Sequence, residues 1–162
     1  MNLKSFIRDV PDFPKPGILF KDVTPLLGNP DAFAAVLKQF AARYEPMKIQ
    51  RIAGIESRGF IFGAALAKTM GLGFVPVRKP GKLPSKTHRV SYALEYGTDA
   101  LEVHTDAFLP GDRVLIVDDL IATGGTAAAT VELVRRCGAV PVEIAAVIEL
   151  SFLNGRARLG DV

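Results

Sequence analysis

A chain of 162 residues with 49% hydrophobic and 23% charged residues fits one globular domain with a sizeable core and excludes disorder as its main state. No apolar run approaches the ~18 residues of a membrane span, and MNLKSFIRDVPDF gives no expectation of a secretory signal. Twenty Lys and Arg against 17 Asp and Glu leave +3, a weak argument for nucleic acid, and the single Cys137 excludes an internal disulfide, so a reducing, cytoplasmic setting is the default expectation.

The first thirty residues hold Pro11, Pro14, Pro16, Pro25 and Pro30 and are expected to wrap the surface in short pieces. Asn29-Pro30 reads as an N-cap followed by proline at the first helical position. Phe33, Val36, Leu37, Phe40, Ala41 and Tyr44 then recur at helical spacing. Arg51 to Ile55 predicts a buried strand, and the loop Glu56–Gly59 leads into a second helix with Phe62, Leu66 and Met70. Phe74 to Val77 predicts another strand. The segment Arg78–Arg89 follows, with Arg78, Lys79, Lys82, Lys86 and Arg89, no acid, and Pro80, Gly81 and Pro84 to keep it a long loop.

Ser91–Tyr96 and Ala100–His104 are expected to pair as a hairpin across Gly97. Pro110-Gly111-Asp112 is a turn signal ahead of Val114–Val117, whose four apolar residues suit a strand buried on both faces. Gly124-Gly125 opens a helix to about Cys137, ended by Gly138, and Val142–Ile148 is one more buried strand. Strands alternating with helices predict an α/β domain with a mainly parallel twisted sheet flanked by helices.

Two segments, RIAGIESRGF (51–60) and VLIVDDLIATGGT (114–126), share the order apolar strand, Gly-containing polar loop, helix. In a parallel sheet both loops emerge at the carboxyl ends of strands, where ligands bind. Each offers backbone N–H groups and a helix N-terminus to an anion. Two anion sites on one rim suit a ligand with phosphates at both ends, and the basic segment would close over it. Left to itself, that segment reads equally as a solvated loop.

Asp118 and Asp119 directly follow the predicted strand. Carboxylates there only accept hydrogen bonds, so they suit vicinal hydroxyls or a hydrated Mg²⁺. Ala122-Thr123-Gly124-Gly125-Thr126 adds two hydroxyls and a backbone that a phosphate can approach closely. Together these describe a ribose-5-phosphate site; the plainer alternative is a tight turn with an Asp cap. Ser57 does not stand in G-x-S-x-G, and no P-loop or Rossmann pattern occurs. His88 and His104 lack a ligand-spaced partner, and Cys137 reads as a small core residue.

VLIVDDLIATGGT resembles the signature of the type I phosphoribosyltransferases: four hydrophobic residues, two acids and a Thr-Gly-Gly-Thr loop. FPKPGILFKDVTPLL, IESRGFIFG, FVPVRKPGKLP and YALEYGTDALEVH are similar, in this order, to the adenine-using branch of that family. The resemblance implies one domain over 1–162, with an N-terminal hood (1–30) and a flexible loop and hairpin (78–104); family members usually run on past Asp161-Val162 into one more apolar strand, which this sequence does not include. It implies transfer of the phosphoribosyl group from 5-phosphoribosyl 1-pyrophosphate to adenine, giving AMP and pyrophosphate, with Mg²⁺ and in a homodimer.

Carried over by position, the resemblance puts Asp118 and Asp119 on the ribose hydroxyls, and Ala122, Thr123, Gly124, Gly125 and Thr126 on the 5′-phosphate. Glu56, Ser57 and Arg58 would form the pyrophosphate loop, with a cis peptide. Arg78, Lys79 and Lys82 would help neutralise pyrophosphate, one of them for the neighbouring subunit. Glu95 and Tyr96 would cover the reacting centre, Glu95 managing the adenine proton, while Arg58 joins them in catalysis. Leu19 and Lys21 would border adenine, the family's usual residue at the latter position being Arg. No side chain is expected to ligate Mg²⁺ directly; Asp118 or Asp119 would act through water.

The donor motif reads only the shared donor, so xanthine, hypoxanthine or orotate remain alternative acceptors. A second alternative is a regulator that keeps the donor site and binds nucleic acid. Such a protein is expected to add a DNA-binding segment and to lose the pyrophosphate loop, whereas Glu56-Ser57-Arg58-Gly59 is intact.

Overall fold

The computed structural model describes residues 1–94 and 96–162. The chain opens with a short 3₁₀ turn, then a two-stranded antiparallel hairpin of β1 (Arg8–Pro11) and β2 (Leu19–Asp22). Helices α1 (Thr24–Gly28) and α2 (Pro30–Tyr44) follow. The proline-rich start thus forms short pieces as expected, although its pairing as a hairpin has no alternation signal in the sequence. Asn29 caps α2 as its type predicts, its side-chain oxygen accepting from Ala32 N–H at 2.9 Å.

The body is a four-stranded parallel sheet in the order β4-β3-β7-β8. It comprises β3 (Arg51–Ile55), β4 (Gly73–Val77), β7 (Arg113–Ile121) and β8 (Val140–Glu149), with α3 (Arg58–Met70) after β3 and α4 (Gly125–Arg136) after β7. Between β4 and β7 stands a separate antiparallel hairpin, β5 (Thr87–Ala93) with β6 (Thr98–His104). Val114, Leu115, Ile116 and Val117 are fully buried. Alternation along the strand divides them: Val114 and Ile116 join the core under α4 and the hairpin, Leu115 and Val117 the core under α2, α3 and the hood. A strand apolar on both faces requires cover on both, and the two helical layers supply it.

The hairpin, β7 and the end of the chain differ from expectation in ways that bear on the site. The hairpin begins at Thr87, not Ser91, because seven residue pairs align from Thr87↔His104 to Ala93↔Thr98. Only the stretch between Arg78 and Lys86 therefore lacks a ladder of its own. Strand β7 runs on to Ile121, so Asp118 and Asp119 lie within a strand rather than after one. The ten-residue β8 gives their backbone a ladder partner, with Asp118 opposite Ala146. On the other side β3 pairs only as far as Val117. Finally, the end of the chain, without any signal in the sequence, folds as two 3₁₀ turns (Ser151–Leu153 and Gly155–Arg158).

Candidate active site

Strands β3 and β7 are adjacent and parallel, so the loops leaving their carboxyl ends lie side by side on one rim. Neither of the helices that follow is capped by a side chain: Ser57 before α3 and Gly124 before α4 make no capping hydrogen bond. That contrasts with α2, whose Asn29 cap is filled. The first N–H groups of α3 and α4 therefore have no intrahelical partner, and two positive helix ends face one rim.

The loop after β7 is tightly determined. Gly124 has φ +84°, a left-handed conformation that a side chain disfavours, and a Cβ there would stand 2.3 Å from the carbonyl oxygen of Gly155. Gly155 in turn packs on the Ala122 carbonyl, so the chain end buttresses the loop. The loop after β3 has a cis Glu56-Ser57 peptide, as the resemblance implies. Gly59, in the first turn of α3, presses on β7: a Cβ would lie 2.9 Å from Val117 O and 3.0 Å from Asp118 Oδ1.

Between the loops stand the acids. Asp119 is buried, and Arg58 at the start of α3 donates Nε–H to its Oδ2. The Arg58 guanidinium also lies 5.4 Å from the ring centre of Phe20 in the hood. Asp118 accepts from Asp119 N–H at 2.8 Å. Burial pushes Asp118 up to about 8, with the neighbouring Asp119 charge adding to the rise and Arg58 opposing it. One carboxyl thus holds its proton at neutral pH while its neighbour is paired with a guanidinium.

The basic segment meets the rim at its beginning. Arg78 Nε lies 3.4 Å from Glu56 Oε1, and Lys79 N–H donates to the same oxygen at 2.5 Å. The Lys79 ammonium is paired with Asp99 on β6 and stands 3.4 Å from the Tyr92 hydroxyl on β5. Lys82 is exposed in the loop, and Tyr96 is exposed at the hairpin turn. Glu95 lies outside the described residues. Leu19 and Lys21 sit on β2, Leu19 half exposed and Lys21 donating to Asp9 at 2.5 Å.

The structure thus gathers residues 56–58, 118–119 and 122–126 with Arg78 and Lys79, and leaves the Lys82 and Tyr96 side chains exposed. The Lys21 side chain turns elsewhere, to a cavity of about 610 Å³ between the hood and the end of β8, walled by Leu3, Ile7, Phe40 and Ile148. Sequence reasoning missed Phe20, Tyr92, Asp99 and Gly155. Tyr92 had one visible signal, its place two residues inside an alternating strand that ends in a glycine turn; the others had none.

The profile of the phosphoribosyl transferase domain matches residues 24–159. Over 162 residues the chain is 59% identical to an adenine phosphoribosyltransferase of a Synechococcus species, covering 100% of this chain and 95% of that one. Its fold is similar to adenine phosphoribosyltransferase of Saccharomyces cerevisiae in complex with an imino-altritol bisphosphate and adenine, at TM-score 0.95 and 46% identity over 98% of this chain and 92% of that one. It is also similar to the enzyme of Trypanosoma brucei in complex with AMP, pyrophosphate and ribose-5-phosphate, at TM-score 0.90 and 30% identity over 98% and 70% of the two chains.

Proposed function

This chain belongs to the phosphoribosyltransferase family, in its adenine branch, and on that premise we propose that it moves the phosphoribosyl group of 5-phosphoribosyl 1-pyrophosphate onto adenine, a purine-salvage reaction that releases pyrophosphate and forms AMP. One observation carries the reading: two uncapped helix N-termini flank an Asp118–Asp119–Arg58 cluster on one rim. Each helix end suits one phosphate group of the donor, and the acids between them suit the sugar hydroxyls. Residues 122–126 hold the 5′-phosphate and residues 56–58 the pyrophosphate, with Arg78, Lys79 and Lys82 adding positive charge.

In the reaction the bond from C1 of ribose to the pyrophosphate oxygen breaks, its electron pair leaving with pyrophosphate. A ring nitrogen of adenine bonds to C1 and its proton passes to a base, the role given to Glu95 with Tyr96 beside it. The sugar is electron-poor at that moment, and the leaving group gathers negative charge. Arg58 and the N–H groups of α3 stabilise that charge. Arg58 must therefore exchange Asp119 for the anion, and Phe20 keeps its guanidinium at the rim. Leu19 and Lys21 are the hood residues given the acceptor, and Phe20, on the opposite face of β2, meets Arg58.

The donor set fits Mg²⁺ held through substrate. Asp119 and the carbonyl oxygen of protonated Asp118 can accept from waters of a hydrated ion, and among the described residues no three acids, histidines or cysteines converge as a cage. Those two carboxyls would hold the ion through water and the ribose hydroxyls. When bound, it supplies charge neutralisation to the leaving pyrophosphate.

The chain is read as one domain whose hood and hairpin serve the site. A homodimer is proposed, with exposed Ile61 on α3 and exposed Phe13 and Ile18 of the hood as its apolar contacts; light scattering tests it. A cytoplasmic setting rests on the lone free Cys137, and among the described residues no helix is long and apolar enough to cross a membrane. The acceptor is tested by offering adenine, hypoxanthine, xanthine and orotate in turn with donor and Mg²⁺. Turnover at least a hundredfold faster with adenine is expected; a preference for another base would reassign the acceptor.

A further inference from the structure

Lys79, Tyr92, Asp99 and Thr126 form one connected polar cluster that joins the two ends of the rim. Asp99 on β6 is paired with the Lys79 ammonium. The Tyr92 hydroxyl on β5 accepts from Lys79 Nζ at 3.4 Å and from Thr126 Oγ1 at 3.3 Å, and donates to Asp99 Oδ2 at 3.4 Å. One donor and two acceptor positions are all that a phenol has, so every one is used. The Tyr92 ring lies against the start of α4, where a Cβ on Gly125 would meet it at 3.3 Å. Lys79 and Asp99 are only half-exposed, which limits screening of the pair. Burial alone would lower the Lys79 pKa, yet bonds from Asp99 and Tyr92 outweigh it and raise it, so the ammonium is firmly held.

We propose that Tyr92 is a positioning residue that couples the two anion sites, sharing its hydroxyl between Thr126 of the 5′-phosphate loop and a Lys79 that Asp99 holds in reserve. The proposal rests on the assignment of those loops to the two ends of the donor. Asp99 occupies on Lys79 the place that a pyrophosphate oxygen takes. Thr126, in turn, gives Tyr92 a proton that a 5′-phosphate would otherwise receive. Each anion therefore has to draw one partner out of the same cluster. The first to bind removes one of the bonds that fix the Tyr92 hydroxyl, and the second then draws its partner from a hydroxyl held less firmly. The result is positive coupling between the two sites, carried by a hydroxyl that touches neither anion.

Titration calorimetry of the whole protein with ribose 5-phosphate and with pyrophosphate, each in excess Mg²⁺, measures this. In the unmodified protein each ligand is expected to tighten the other about 5-fold or more, the usual lower bound of such couplings. Tyr92→Phe keeps the ring on α4 and is expected to lose at least three-quarters of that coupling, with the affinity for ribose 5-phosphate alone changed less than threefold. Asp99→Asn releases Lys79 and is expected to tighten pyrophosphate alone several-fold. A merely structural role for Tyr92 would lower thermal stability and leave the coupling factor in place. Coupling in Tyr92→Phe equal to that of the unmodified protein, or pyrophosphate bound no tighter by Asp99→Asn, overturns the proposal while leaving the site assignment standing. Failure of either ligand to bind the unmodified protein overturns both.

Discussion

Arg58 and Asp119 are bonded to each other: the guanidinium assigned to pyrophosphate donates Nε–H to a carboxylate assigned to ribose. Arg58 Nε–H and Asp119 Oδ2 become free for ligands only when the two part. A buried Asp119 left without a partner would be costly, so Arg58 stabilises the rim by keeping it paired.

Arg58→Gln removes the positive charge from that exchange. Loss of one donor to a developing charge costs about 2.7–4 kcal/mol, so kcat/KM for the donor is expected to fall about 10²–10³-fold. Arg58→Lys keeps the charge without the planar fork and recovers only part of the loss. Steady-state kinetics decide the matter, and a fall of less than threefold in Arg58→Gln would remove it from the mechanism.

Asp118 makes the unliganded protein less stable as pH rises. In the folded chain its carboxyl keeps a proton up to about 8, against an ordinary value of 3.8. Between those values the folded state binds more protons than the unfolded state, so stability falls as pH rises through the window and levels off above it. Asp118→Asn is expected to flatten that dependence and to raise Tm at pH 8, each kcal/mol gained being worth about 2–4 °C at this size. Thermal melts from pH 5 to 8.5 check it; parallel slopes in the two proteins would contradict it.

Gly124→Ala sets a Cβ against the Gly155 carbonyl at 2.3 Å while keeping φ at +84°. Gly17 has nearly the same φ, +87°, with nothing within 4 Å of its Cβ position, so Gly17→Ala isolates the backbone cost, about 1–2 kcal/mol. Gly124→Ala is expected to lower Tm by several degrees more than Gly17→Ala and to weaken ribose 5-phosphate at least tenfold. Equal effects of the two substitutions would show that the chain end does not buttress the loop.

Glu95→Gln is expected to lower kcat about 10²–10⁴-fold, the usual worth of general acid–base catalysis, with donor affinity changed less than threefold. Single-turnover rates beside equilibrium donor titration separate the two. Small and equal effects on both would take Glu95 out of the reaction.

The sheet and its order of helices were legible because apolar runs such as Val114–Val117 leave few alternatives to a strand covered on both faces. The two rim loops were legible for the same reason, since each follows such a strand and opens a helix. The acids misled the boundary of β7: two charged residues look like a loop, and only the length of β8, remote in sequence, extends the ladder past them. Contacts between distant segments were not legible at all. Nothing in the local pattern puts Phe20 beside Arg58, Gly155 on Gly124, or Asp99 on Lys79. The basic segment, which holds no acid of its own, likewise gives no sign that Lys79 finds its counter-ion twenty residues on.

Transfer to adenine is measured by incubating adenine and 5-phosphoribosyl 1-pyrophosphate with Mg²⁺ and the purified chain and separating the products by chromatography. AMP and pyrophosphate appearing in equal amounts, at a rate set by the protein concentration, is the predicted result. Donor bound tightly with no nucleotide formed from adenine or any other base would contradict it and favour a regulatory protein.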